Sequence, residues 1–341
     1  MPNKLALLLF SPALAQALEV TTLVESTPDQ PIDNPFAAEY HTDGSLYFVT
    51  YGGDRVFKLS PTGQLTHLAG KFRQHGYSGD GGHATAATFN RLHNLAISAD
   101  GKIYLSDTFN HSGRLLDPES GLISSFAGNG SKGFKGKTGD AKKAIFNEFY
   151  CVTFDKDRRH LFVTDLKNQL VRSIDTSTGK IHTVAGNRKK AHPINGKKAT
   201  GQPMLDPRAA APDHHGNLYI LSRGGHSLYR VDPDGNISTV AGTGNKGQSD
   251  GPALGSAMNG PKHLCVDPED GKKMLIVDTE NDRIVLFDPD KATLTTVLGG
   301  NKKIGATTLA RPHGVYVHSD GSMVVADSEN HRIIKVTGWR P

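Results

Sequence analysis

The chain has 341 residues, a net charge of +5, a hydrophobic content of 36% and 38 glycines, a composition that suits a turn-rich, soluble all-β protein. Two cysteines, Cys151 and Cys265, exclude a disulfide framework and read as buried free thiols. Beyond the N-terminus no apolar stretch approaches membrane-spanning length, so no transmembrane segment is expected.

The chain opens with Lys4, an apolar run from Leu5 to Leu14 and the small-x-small sequence Ala15-Gln16-Ala17. This is the pattern of a secretory signal peptide over residues 1–17, cut after Ala17, and it predicts a secreted or periplasmic protein. The remainder, 18–341, is built from repeats. Units begin near Pro35, Leu92, Phe149, Pro207, Pro261 and Pro312, with central runs LYFVT (46–50), IYLSD (103–107), LFVTD (161–165), LYILS (218–222), LIVDT (275–279) and MVVAD (323–327). Each run is short, apolar and β-branched, and turn residues separate it from its neighbours. A third strand follows in all six units, and a fourth, such as QLTHLAG or NISTVAG, in five. The sixth lacks its fourth strand, but Glu19-Val20-Thr21-Thr22-Leu23-Val24 matches the missing pattern. The expected fold is therefore an all-β, six-bladed β-propeller of four-stranded blades, closed by the N-terminal strand completing the last blade. Such closure protects sheet edges that would otherwise be exposed.

Pro312-His313-Gly314-Val315, Ala326-Asp327 and Asn330-His331-Arg332-Ile333 resemble the NHL repeat nearly letter for letter. The linker Gly76 to Gly82, followed by Ala84-Thr85-Ala86-Ala87, is similar to linkers of bacterial NHL proteins. The resemblance covers the whole of 18–341 as one NHL-type domain. It implies a fold that hosts binding modules and enzymes alike.

The linkers between units carry 19 basic and 5 acidic residues, including Lys189, Lys190, Lys197 and Lys198. In a four-stranded blade they share a face with the turns between strands two and three. One sign of charge on one face predicts attraction of anionic partners, although lysines also simply keep loops solvated. Aromatic interleaving for stacking bases is thin, and export argues against nucleic acid as a partner.

The residue after the proline of each inner strand is expected at the mouth of the central channel: Phe36, His93, Tyr150, Arg208, Lys262 and His313, with Asn94 and His263 beside them. Tyr51 and Arg223 come from the turns of units 1 and 4, which depart from the D-x-x-N-H pattern. Peptidyl-amidoglycolate lyases, propellers of related construction, carry three zinc-binding histidines at this post-proline position on alternate blades. By that resemblance His93 and His313 occupy two zinc positions and Arg223 the arginine position, whereas Arg208 stands at the third zinc position and Lys167 at the tyrosine position. A cation at the third place argues against the same zinc site, so no cofactor is predicted, with a divalent metal at His93 and His313 left open. These side chains then form either an anion-binding pocket or a hydrogen-bonded plug. Asp107, Asp165, Asp278 and Asp327 recur at one repeat position, which favours turn capping over calcium binding.

The expected function is an exported binding or recognition module for an anionic small molecule or a polyanionic polymer such as an acidic polysaccharide, acting through the basic linker face. The alternative is an enzyme of the lyase, lactonase or strictosidine-synthase-like kind with a polar, metal-containing or metal-free site at the channel mouth.

Overall fold

The computed structural model describes residues 17–300 and 308–340. The signal peptide expected over 1–17 lies, except for Ala17, outside the described residues, as do Lys302 and Lys303. Six antiparallel sheets stand in a ring, and their inner strands are Pro35–Tyr40, Leu92–Ile97, Phe149–Phe154, Pro207–Pro212, His263–Val266 and Gly314–Val317. Glu19–Glu25 pairs antiparallel with Arg332–Thr337, from Glu19 opposite Thr337 to Glu25 opposite Arg332, and so supplies the outer strand of blade 6.

Blades 1, 2 and 6 have four strands. Blades 3, 4 and 5 have five, which corrects the expectation of four throughout. Their linkers fold back along the outer strand and add Thr138–Asp140, Lys197–Lys198 and Gly251–Pro252. These extra strands cover an edge that would otherwise offer unpaired backbone groups. The middle parts of these three linkers therefore lie along the outer edges of their blades.

The core lies within and between the sheets. Alternate residues of neighbouring blades interlock, as where Phe146, Phe149 and Val163 of blade 3 meet Ala96 and Tyr104 of blade 2. Each such side chain taken from water contributes about 1.5–3 kcal/mol.

Two polar devices repeat around the ring. In the first, Oδ1 of Asp107, Asp165, Asp278 and Asp327 accepts the backbone N–H of Asn90, Asn147, Asn259 and Ala310 at 2.6–2.8 Å. The same carboxylates accept from Asn110, Asn168, Asn281 and Asn330, and pair with Arg114, Arg172, Arg283 and Arg332. The role is structural, but the backbone partner lies 17 to 19 residues upstream, so the aspartate ties its blade to the incoming linker.

In the second device, a residue at the end of each strand-two-to-three turn sits in the left-handed region, with φ of 47–55°: Asp54, His111, Gln169, His226, Asp282 and His331. Its side chain accepts the backbone N–H of Arg91, Glu148, Asp206, Gly260, Arg311 and Asn34 respectively, at 2.6–3.2 Å. Every donor is the last linker residue or its equivalent before the next blade, so six clasps join the blades. The His331 clasp on Asn34 closes the circle.

Candidate functional site

A cavity of about 600 Å³ opens at one end of the central channel. In blades 1 to 4 the inner strand breaks register just after its first residue, between Pro35 and Ala37, Leu92 and Leu95, Phe149 and Val152, and Pro207 and Ala209. Such a bulge re-aims the extra side chain. Here Phe36, His93, Tyr150 and Arg208 are turned to the mouth, where Lys262 and His313 join them from blades 5 and 6, and Tyr51 and Arg223 from the turns.

Seven of the sequence-derived candidates, Tyr51, His93, Tyr150, Arg208, Arg223, Lys262 and His313, thus share one cavity. The other four do not. Lys197 and Lys198 pair with Ile237 and Asn236 on the outer edge of blade 4, and Lys189 and Lys190 are exposed in the linker preceding them. Asn94 and His263 lie deeper. Asn94 Nδ2 lies 3.1 Å from His263 Nε2 across the ring, from blade 2 to blade 5, and neither residue lines the cavity.

Sequence reasoning left Arg73, Arg91 and Arg311 among the linker cations, yet they line the cavity with Asp33 and Glu329. The signal was available for two of them. Arg91 and Arg311 immediately precede an inner strand, and the clasps fix them there with φ of 65° and 41°.

The two histidines are held alike. His93 Nδ1 lies 3.2 Å from Arg91 O and 2.9 Å from Thr108 Oγ1, whose own hydroxyl donates to Phe149 O. His313 Nδ1 lies 2.8 Å from Arg311 O and 3.0 Å from Ser328 Oγ, which donates to Pro35 O. A carbonyl only accepts, so Nδ1 carries the proton in both rings and Nε2 is the acceptor. His313 Nε2 accepts from Lys262 Nζ at 2.9 Å, while Glu280 Oε1 lies 3.2 Å from the same ammonium.

Burial, and then the Arg208 charge, lower His93 to about 3. Burial and Lys262 hold His313 well below its ordinary value, and burial brings Lys262 down to about 8 against the pull of Glu280. Both rings are therefore neutral acceptors at neutral pH. The aromatic side chains stack across the mouth, with Phe36 3.8 Å from His313 and 4.5 Å from Tyr51, and with Arg91 over Tyr51 and Arg208 over Tyr150 at 4.6 Å.

The zinc set implied by resemblance does not fit these residues. The Nε2 of His313 faces an ammonium, the third position holds a guanidinium, and no group of three His, Cys, Asp or Glu side chains with metal-site geometry occurs among the described residues. Arg208 is paired loosely with Asp206, its Nε 3.3 Å from Oδ1 without hydrogen-bond alignment, and the buried Nε atoms of Arg223 and Arg311 also carry no hydrogen bond.

The neutral state of His93 has a consequence for stability. The folded ring resists protonation to about 3, whereas the unfolded ring takes a proton near 6.5, so stability is full above 6.5 and falls as pH drops toward 3. Relative to His93→Gln, which keeps a donor for Arg91 O, the wild type is expected to lose about 2 kcal/mol between pH 6.5 and 4.5 in urea titrations. A pH-independent difference between the two would show that His93 is not held neutral.

Residues 309–335 match the NHL repeat. The chain is 25% identical over 261 residues to SUPPRESSOR OF QUENCHING 1 of Arabidopsis thaliana, an alignment covering 71% of this chain and 24% of that protein. It spans less than half the length of the curated relatives it matches. Among solved structures it is similar to an auxiliary nutrient binding protein from Bacteroides thetaiotaomicron (TM-score 0.65, 14% identity, 94% of this chain and 76% of that one). It is also similar to virginiamycin B lyase from Staphylococcus aureus (TM-score 0.58, 13% identity, 94% and 99%). At such identity the likeness is one of fold. The chain is a six-bladed β-propeller whose last blade carries an NHL repeat.

Proposed function

We propose that this propeller is a recognition module that holds a small anionic ligand, a carboxylate in particular, in the channel-mouth cavity. The observation that carries the reading is the excess of cations at the cavity: Arg91, Arg208, Arg223, Lys262 and Arg311 line it, while only Asp206, Glu280 and Glu329 pair with four of them. Planar guanidinium groups match carboxylate geometry, and charge-assisted hydrogen bonds to a desolvated anion are stronger than neutral ones. The fold shared with a nutrient binding protein is in keeping with a binding role. The N-terminal apolar run supports an exported protein, so the ligand would be met outside the cytoplasm.

Calorimetry at low salt with citrate, inorganic phosphate and an oligogalacturonate tests the reading. Citrate is expected to bind, and Arg208→Ala and Arg223→Ala are each expected to weaken it by about 10- to 100-fold, the loss of one charge-assisted bond. Charge reversal of Lys189, Lys190, Lys197 and Lys198 together should leave citrate unaffected. Were that reversal alone to abolish oligogalacturonate binding, the perimeter and a polymer would take the place of the cavity. Absence of binding by all three anions would end the proposal.

A second reading has its own support. Arg91 O fixes the Nδ1–H of His93 and leaves Nε2 an acceptor, the ring lies 4.4 Å from that of Tyr150, and the fold is shared with a lyase. A bound anion that offset the Arg208 charge would be needed to raise this weak base toward a general base's range. His93→Ala would then abolish turnover of the ligand while leaving its affinity within a few-fold.

A further inference from the structure

Below the Asn94–His263 bridge the channel opens again, on the opposite face, into a blind cavity of about 340 Å³. Leu95, Val152, Phe154 and Val317 are among its apolar walls, Asp155, Lys156 and His214 also line it, and Glu39 with Arg158 forms a polar cluster within it. Arg158, from the strand-one-to-two turn of blade 3, extends to blade 1, where its Nη1 lies 3.1 Å from Glu39 Oε1. The same nitrogen donates to Ile97 O of blade 2, and Tyr316 of blade 6 lines the cavity with it. Three blades therefore meet at one side chain.

The backbone under that side chain is unusual. In the other five blades the corresponding turn places a glycine in the left-handed region: Gly44, Gly101, Gly216, Gly271 and Gly321, at φ of 67–85°. Arg158 holds the same region at φ 52° and makes the same turn bond, N–H to Asp155 O, as Gly44 makes to His41 O. A side chain there costs about 1 kcal/mol that glycine avoids. Blade 3 accepts that strain, and what it gains is a guanidinium at the polar end of an apolar cavity.

We propose that this cavity is a second binding site, separate from the channel mouth, for a small uncharged molecule that joins an apolar ring or alkyl group to an amide. Arg158 supplies N–H donors for the amide carbonyl, and Glu39 accepts from the amide N–H. Glu39 and Arg158 offset one another, so a neutral amide satisfies both groups, whereas a charged ligand would find its counter-ion only in Asp155 or the exposed Lys156.

Benzamide is a suitable probe, with binding to the full chain followed by saturation-transfer NMR and calorimetry. The wild type is expected to bind in the millimolar range or tighter. Arg158→Gly, which restores the residue used by the other five blades, leaves Glu39 without its partner and so is paired with Glu39→Gln; the single and the double variant should each weaken binding at least tenfold, and the double variant should keep the wild-type circular dichroism spectrum. Thr153→Phe, which fills the cavity from a partly exposed wall position, should abolish binding, and Arg208→Ala in the upper cavity should not alter it. Benzamide failing to bind at millimolar concentration would overturn the proposal. So would equal binding by Arg158→Gly, or by Thr153→Phe that retains the wild-type circular dichroism spectrum.

Discussion

A chain that begins at Ser26, and so lacks Glu19–Glu25, is expected to lose cooperative folding or to melt more than about 10 °C below the wild type. The missing strand pairs with the whole of Arg332–Thr337, and without it that strand becomes an open edge able to pair with another chain. Val24 is 6% exposed and packs with Leu23 against Phe48, Phe57 and Ile333, while Val20 joins the cluster around Trp339. Three such side chains returned to water account for about 4–6 kcal/mol, comparable to the full stability of many domains. The contacts that still close the circle then include the His331 clasp on Asn34, Ser328 Oγ donating to Pro35 O and the packing of Pro35–Tyr40 on blade 6, all non-local. Thermal melts by circular dichroism, with size-exclusion chromatography for aggregation, measure the effect, and a chain beginning at Leu18 is the control. A Ser26 chain that stayed monomeric and melted within about 3 °C of the control would mean that the ring does not depend on this strand.

That strand was legible because its residues repeat a pattern found in five other places. The central runs were legible for the same reason. Only LIVDT was displaced by one residue, since the strand is Met274–Asp278 and Thr279 already begins the turn. The mouth residues were legible because they hold one repeat position, and the bulges turn that position inward.

Features without a common residue type were not legible. The clasps use aspartate, histidine and glutamine in one geometric role, so no letter recurs. The fifth strands include Lys197–Lys198 and Gly251–Pro252, two residues each, too short for any alternation to appear. Mistaking those linkers for a face grouped perimeter lysines with channel arginines, although only a bend of the chain separates the two fates. Arg158 was invisible for the opposite reason, because a turn without glycine does not announce a left-handed residue. Departures from the repeat thus mark both proposed sites. Tyr51 and Arg223 replace the standard turn at one end of the channel, and Arg158 replaces glycine at the other.

The largest single-residue effect is expected at Arg283. Its side chain is 1% exposed, with Nε 2.7 Å from Asp278 Oδ2, Nη1 2.9 Å from Asp250 Oδ1 and 2.8 Å from Thr296 Oγ1, and Nη2 2.9 Å from Ala257 O. One guanidinium therefore ties blade 5 to its own linker. Arg283→Met keeps most of the volume and removes every one of these donors. Asp250 is partly exposed and can turn to water, but Asp278 is fully buried and is left with the backbone of Asn259 and the amide of Asn281. An uncompensated buried carboxylate costs about 3–5 kcal/mol, far more than the loss of a surface pair. Burial already raises Asp278, and the Arg283 charge does more than any other neighbour to hold it down. Without that charge the folded carboxyl should bind its proton more readily than the unfolded one, so the variant should regain stability as pH falls. Urea denaturation is expected to show a deficit of about 3–5 kcal/mol at pH 8 that shrinks by pH 5.5, and Arg283→Met with Asp278→Asn should recover part of it at pH 8. A deficit that is the same at both pH values, and is not reduced in the double variant, would place the damage in lost packing and linker contacts instead of in the stranded charge.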